Sequence, residues 1–267
     1  MLGKLMKYEW KATWKLLLPL NLFVVVMSIL AYITVQLDFF DSDNELVIMT
    51  GAILLLTYVL SMFAILIVTV IYLIYRFYTS VYGDEGYLLH TLPVDKHHII
   101  IAKSVVSAAW IILNIFLVYL SILFLFSTQE RLIETVTDGF QFYVETVNSY
   151  NKIGAFEIIM TLVASFFAML ARILKVTACV SLGQLASNHK VLSSIGFYYA
   201  IYIVQRIFTL FYYMIVELIN RASDYSYYNY TSFFNSSWEF TLLSSLIYSV
   251  IFYFLTWYVM DRKLNLD

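Results

Sequence analysis

Six long apolar runs constrain this chain more than any other feature. A transmembrane helix needs about 20 mostly apolar residues to cross about 30 Å of hydrocarbon. The runs occupy about 16–37, 46–75, 104–126, 155–186, 191–219 and 240–260. Hydrophobic residues make up 62% of the 267 residues and charged residues only 13%, which is unlike the composition of a soluble domain. The pattern predicts an all-α integral membrane protein, with six spans in a single domain.

The residues before the first run, about 2–15, predict an amphipathic helix that lies in the membrane interface. On a helical wheel, Leu2, Leu5, Met6, Trp10 and Leu17 share one arc, and the lysines cluster on the opposite side. Lysine suits anionic headgroups and tryptophan suits headgroup depth. The expected interfacial anchors are Lys4, Lys7, Trp10, Lys11, Trp14 and Lys15. The alternative is a basic tail beside the membrane with no fixed structure.

The distribution of positive charge predicts the orientation, because cytoplasmic loops carry an excess of Lys and Arg. With both termini in the cytoplasm, the inner side holds twelve of the 16 Lys and Arg residues and the outer side holds three. The outer three are Arg131, Lys152 and Arg221, and Arg206 lies within a span. We therefore expect a multi-pass protein of the cell membrane, with the loop after the second run inside.

Three basic residues interrupt the apolar runs. Arg172 and Lys175 are three residues apart and share a helix face, and we expect both to snorkel toward the cytoplasmic interface. Arg206 follows Gln205 near the middle of the fifth run, and two interpretations are open. Either the pair lines a translocation path or pins two helices together, or Arg206 snorkels to an interface.

The outer loops are acidic or aromatic. Residues 38–45 and 127–154 are rich in Asp and Glu, and we expect Tyr225–Trp238 to form a loop that contributes an aromatic belt rather than a substrate trap.

The sequence contains no signature of catalysis. It lacks the phosphate-loop pattern G-x-x-x-x-G-K-[ST] and the metalloprotease pattern His-Glu-x-x-His. His97 and His98 are adjacent, so they point about 100° apart on a helix and are poor joint metal ligands; we interpret them as a solvated helix start. Cys179 is the sole cysteine, which excludes an intrachain disulfide. We expect no enzymatic activity and no metal in this chain.

A polar island at residues 82–94 separates the second run from the third, and it carries a specific resemblance. Its segments Gly83-Asp84-Glu85-Gly86-Tyr87-Leu88 and Thr91-Leu92-Pro93-Val94 resemble the pattern between the second and third spans in type-2 ABC exporter permeases of Gram-positive bacteria. Two further segments agree: Ser181-Leu182-Gly183-Gln184-Leu185 with His189-Lys190, and Lys263-Leu264-Asn265-Leu266. With the basic helix at the start, the resemblance covers essentially the whole chain.

The resemblance implies two permease subunits, in a homodimer or a paralogous heterodimer, above two ATP-binding subunits that hold the ATP and Mg²⁺. It also implies a cytoplasmic coupling helix that docks on the ATPase. Here that role would fall to Gly83, Asp84, Glu85, Gly86, Tyr87, Leu88 and Leu89. Asp84 could cap the helix, and Tyr87 and Leu88 could supply apolar contact area. Without the resemblance, a plain connecting turn explains the island equally well.

The resemblance implies outward transport of a hydrophobic or amphipathic cargo such as a peptide, an antibiotic or a lipid. The alternative from another class is a membrane assembly or sensory protein that transports nothing and docks a cytoplasmic partner through residues 82–94. An ion channel or secondary transporter would call for midspan acids or an internal repeat, and neither is evident. Nothing in the sequence points to nucleic acid.

Overall fold

A computed structural model shows that the described part of the chain is helical. It describes residues 2–37, 39, 44–83, 85, 86, 91, 94–125, 137, 141, 155–186, 188–222 and 230–262, with the side chains of 155, 157, 158, 219–222 and 230–237 excepted. Its long helices are α1 (Leu2–Gln36), α2 (Glu45–Tyr82), α3 (Lys96–Leu125), α4 (Ala155–Gly183), α5 (Lys190–Ala222) and α6 (Tyr230–Arg262).

All six of these helices are long and apolar enough to cross a membrane, which confirms the predicted architecture of a multi-pass membrane protein. Their ends differ from the apolar runs. α2 continues to Tyr82 and α3 begins at Lys96, so both extend past the runs toward the polar island. Hydropathy marks the part of a helix that suits lipid, whereas backbone hydrogen bonds continue until a capping or breaking residue ends them.

α1 is one continuous helix of 35 residues. At about 1.5 Å per residue it is about 52 Å long, well beyond the hydrocarbon thickness. The expected separate interfacial helix at 2–15 is not shown. Pro19 lies inside α1. It therefore leaves the carbonyl of Lys15 without its usual helical donor.

Tyr230–Trp238 forms the first part of α6, so the prediction of a loop there was wrong. This segment is rich in aromatic and small polar residues, which resembles a turn in composition. It contains no glycine or proline to end a helix, so the helix extends through it. Residues 223–229 lie outside the described residues, as do most of 38–43 and 126–154.

The chain divides into two compact units. Unit 1 comprises Met1–Thr79 and Ile101–Thr146, and unit 2 comprises Ser80–Ile100 and Val147–Asp267. Unit 1 thus contains α1 with most of α2 and α3. Unit 2 contains α4 packed against both α6 and α5, together with the end of α2 and the start of α3.

Trp110 of α3 is the centre of one core cluster in unit 1. It is almost fully buried with Leu17 and Val106. Its ring stacks on Trp10 at a centroid distance of 4.7 Å, and its indole N–H donates to Thr13 Oγ1 at 2.8 Å. The apolar arc predicted on the first helix therefore exists, but a large part of it packs against protein.

Polar side chains also connect the helices of unit 1. Asn114 donates to Thr69 Oγ1 at 2.6 Å, and the Tyr58 and Ser121 hydroxyls are 2.8 Å apart. Where lipid surrounds a bundle, such bonds replace the hydrogen bonds that water would provide.

Glu9 of α1 makes ionic contacts with two other helices of unit 1. One carboxylate oxygen is 3.0 Å from the Lys103 ammonium on α3, and the other is 3.7 Å from Arg76 Nε on α2. The Lys103 side chain is only 8% exposed, so this ion pair is largely removed from solvent. Glu9 thus joins three helices.

Replacing Glu9 with Gln should destabilise the protein by about 3 kcal/mol, because it removes the negative charge from a largely buried ion pair that connects three helices. Thermal unfolding of the purified protein in detergent measures this. Glu239→Gln is the matched control, since Glu239 is exposed and its replacement should change stability by less than about 0.5 kcal/mol. Equal stability of the two variants would contradict the role of Glu9.

Candidate functional site

The candidate site is the island between α2 and α3. The structure describes its Tyr82, Gly83, Glu85, Gly86, Thr91 and Val94. The other expected coupling residues, Asp84, Tyr87, Leu88 and Leu89, lie outside the described residues. The geometry of the site therefore comes from the two ends of the island, which both belong to unit 2.

The first end of the island is attached to α4. The Tyr82 hydroxyl donates to Ser181 Oγ at 2.6 Å, and the Ser181 hydroxyl donates to the carbonyl of Thr177 at 2.8 Å. Ser181 has no exposed surface. This short chain of hydrogen bonds connects the last residue of α2 to the last two turns of α4.

The second end of the island is attached to α6. The Lys96 ammonium is 3.0 Å from Asp261 Oδ1. His97 Nδ1 is 2.6 Å from the Tyr253 hydroxyl, and the His97 ring stacks on Trp257 at 5.2 Å. His97 lies in the first turn of α3, as expected, but its ring is half-buried rather than solvated.

Gly86 has a steric reason to be glycine. Its N–H donates to the carbonyl of Gly83 at 2.8 Å, which forms a tight turn directly after α2. A Cβ at position 86 would collide with the backbone carbonyl of Val81. The backbone approach accounts for Gly86 whether or not a partner docks there.

The turn between α4 and α5 contains the second segment of the resemblance. The N–H groups of Gln184 and Leu185 donate back to the carbonyls of Ser181 and Leu182 at 3.2 and 3.0 Å. A Cβ at Gly183 would collide with Ser194 Oγ and would lie 2.7 Å from the carbonyl of Lys190. Gly183 therefore permits the close approach of α4 and α5.

His189 precedes α5 in a left-handed backbone conformation, with φ of 55°. Its carbonyl accepts from the N–H of Ser193 at 3.0 Å, so it begins the hydrogen bonding of α5. A non-glycine residue with a positive φ is uncommon, so the surrounding contacts must hold His189 in this conformation.

Gln205 and Lys175 are brought together across α4 and α5. The Lys175 ammonium donates to Gln205 Oε1 at 3.2 Å, and Lys175 is only 6% exposed. The expectation that Lys175 snorkels was therefore wrong, because α5 and its aromatic side chains cover it.

Arg206 is exposed, and its Nε donates to the Tyr202 hydroxyl at 2.9 Å. Its role in a translocation path stays a prediction.

The expected interfacial anchors divide into two faces. All four lysines are exposed, as the helical wheel predicts. In contrast, Trp10 stacks on Trp110, and the Trp14 ring lies 6.1 Å from the Trp110 ring in a tilted arrangement. These residues are on unit 1, away in sequence from the island, and their contact with headgroups stays a prediction.

Sequence reasoning did not find the residues that attach the island. Tyr82 and Ser181 are 99 positions apart, and His97 and Tyr253 are 156 positions apart. The Ser181 segment was marked by the resemblance, but no local pattern pairs it with Tyr82.

The chain matches no family model, no curated protein and no solved structure. The six-helix architecture and the contacts described above therefore stand on this chain alone.

A double-mutant cycle tests the first attachment. Tyr82→Phe and Ser181→Ala should each destabilise the protein by about 1 kcal/mol, because each removes one hydrogen-bonding group. The double variant should lose less than the sum, since both changes remove the same bond. Chemical unfolding in detergent measures the coupling; additive losses would show that the bond contributes nothing.

Replacing Gly183 with Ala should destabilise the protein by about 1–3 kcal/mol, because the new methyl group overpacks the α4–α5 turn. Gly196→Ala is the matched control. A Cβ at Gly196 meets nothing within 4 Å, so alanine there should stabilise α5 by up to about 1 kcal/mol. Melting temperatures of the two variants should move in opposite directions, and a shift of both in the same direction would contradict the close approach.

Proposed function

We propose that this protein is the transmembrane permease subunit of an ATP-driven ABC exporter, and that residues 83–89 form the coupling segment that docks on a separate ATP-binding subunit. The cargo class is hydrophobic or amphipathic, and the direction is outward. The proposal combines the resemblance of the island with the way its two ends are held.

The observation that carries the proposal is the attachment of the island at both ends. Tyr82 bonds to Ser181 of α4, and the pairs Lys96–Asp261 and His97–Tyr253 join the start of α3 to α6. A plain connecting turn needs no such attachment. A segment that passes force from a partner into a helix bundle does need it, because a loose loop would move without displacing the bundle.

The energy source in this proposal is another polypeptide. The sequence contains no phosphate loop of the P-loop NTPase type, so ATP and Mg²⁺ would be held by the partner. Binding of ATP there would draw two ATPase subunits together and push on the island.

The displacement would then reach the bundle through named contacts. The Tyr82 hydroxyl would transmit the displacement to α4, and Lys96 and His97 would transmit it to α6. Because α4 packs against both α6 and α5, unit 2 would respond as a body. Interfaces of this kind change between discrete packings rather than deforming continuously.

The proposed orientation places both termini, the island and the α4–α5 turn in the cytoplasm, on the positive-inside distribution. The partners in this proposal are one ATP-binding subunit for each permease, and a second permease that is either a copy or a relative of this chain. The membrane is the cell membrane.

Replacing both Tyr87 and Leu88 with Asp tests the docking role. Acidic side chains would remove the apolar contact area that a groove on the ATPase would cover. We expect the variant to lose copurification with its ATP-binding subunit, or to retain the subunit while losing stimulated ATP hydrolysis. The measurements are pull-down from membranes and ATPase rate in proteoliposomes.

The control for this test is the double change Val191→Asp and Leu192→Asp, which adds the same two charges at positions 59% and 67% exposed in the first turn of α5. It should keep both copurification and ATPase activity. The proposal would be refuted if the Tyr87 and Leu88 variant also kept both, or if cysteine labelling showed residues 83–89 to be accessible from outside the cell.

A further inference from the structure

Three cations lie together on α4 and α5. Arg172 and Lys175 are one helical turn apart on α4, and Arg206 is on α5 beside Gln205, which binds Lys175. Lys175 and Arg206 also share one ring: the Lys175 ammonium lies 5.6 Å and the Arg206 guanidinium 5.0 Å from the centre of the Tyr202 ring. We call these three residues the cationic cluster; it belongs entirely to unit 2.

Lys175 is the buried member of the cluster. Its ammonium lies 4.5 Å from the centre of the Tyr198 ring and 5.6 Å from that of Tyr202, and it donates to the amide oxygen of Gln205 at 3.2 Å. These contacts supply only partial negative charge. A cation–π contact and a neutral hydrogen bond stabilise an ammonium less than a carboxylate does.

No carboxylate neutralises the cluster within the described residues. The ion pairs found there join Glu9, Asp95 and Asp261 to other bases, and none involves Arg172, Lys175 or Arg206. The Arg206 guanidinium has Tyr202 as its partner, through one hydrogen bond of 2.9 Å and a ring contact of 5.0 Å. Three positive charges on two membrane-spanning helices are costly without a counter-charge.

The surroundings of Arg206 indicate how a counter-charge would arrive. The neighbouring side chains Ile203, Ile207 and Phe208 are 55%, 47% and 61% exposed, and the most apolar stretch of α5 buries nothing. An anion at this position therefore meets an apolar surface along the same helix. An anion with acyl chains fits both the charge and the surface, whereas a small hydrated anion fits only the charge.

We propose that the cationic cluster binds the phosphate group of an anionic lipid, with Arg172 and Arg206 as direct contacts and Lys175 adding positive charge from behind them. The acyl chains would lie along the exposed apolar side chains of α5. This inference stands on α4 and α5 alone, so it holds or fails independently of docking on an ATPase.

The test compares two lipids on the full-length protein. Native mass spectrometry of the protein, released from nanodiscs that contain equal amounts of phosphatidylglycerol and phosphatidylcholine, counts the bound lipids of each kind. The wild type should retain phosphatidylglycerol in preference. Arg172→Gln and Arg206→Gln should each lower the ratio of bound phosphatidylglycerol to phosphatidylcholine about fivefold, the typical value of one basic residue beside an anionic lipid.

Two further variants separate charge from structure. Arg206→Lys keeps the charge and should restore most of the preference. Lys190→Gln removes an exposed cation at the start of α5 and should leave the ratio unchanged. Both arginines are exposed, so their replacement should not prevent folding, and circular dichroism verifies this. The Lys175 side chain is buried, so lipid binding by the Lys175→Met variant is compared only if its melting temperature stays near that of the wild type.

Three results would overturn the proposal. The first is equal retention of the two lipids by the wild type, and the second is an unchanged ratio in both arginine variants. The third is complete displacement of labelled phosphatidylglycerol by inorganic phosphate at the same concentration, which would identify a soluble anion as the ligand instead.

Discussion

The need of every buried polar group for a partner within the protein is the constraint on which this structure depends. Lipid offers no hydrogen bonds, so a charge or hydroxyl inside the bundle must find its partner within the protein, on its own helix or on another. Glu9 meets Lys103 and Arg76, and Trp110 donates to Thr13. Apolar packing alone would not specify which faces of the apolar helices contact each other. These polar pairs select which helix faces which.

The same constraint relates the island to the bundle. Tyr82 and His97 are polar residues at the ends of two long helices, and each finds its partner on a helix far away in sequence. Their pairing places the ends of the island in unit 2, although most of α2 and α3 belongs to unit 1. The proposed coupling follows from this division, because a displacement of the island would act directly on the helices of unit 2.

In the cationic cluster, neutral groups alone meet the constraint among the described residues. Lys175 has an amide and two aromatic rings where a carboxylate would be expected, and Arg206 has a tyrosine. Natural sequences break such rules mostly where a function compensates for the cost. The unbalanced charge is therefore a stronger pointer to a ligand than any motif in the fourth and fifth helices.

The sequence alone determined the helical class, the six spans and the two opposed faces of the first helix, because each depends on the local spacing of apolar and basic residues. Tertiary structure decided that Lys175 is covered by α5, that Trp10 packs on Trp110 and that Tyr82 and His97 attach the island to α4 and α6. These outcomes rest on partners 30 to 156 positions away. A helical wheel shows which face is apolar or charged, but it does not show whether lipid or another helix covers that face.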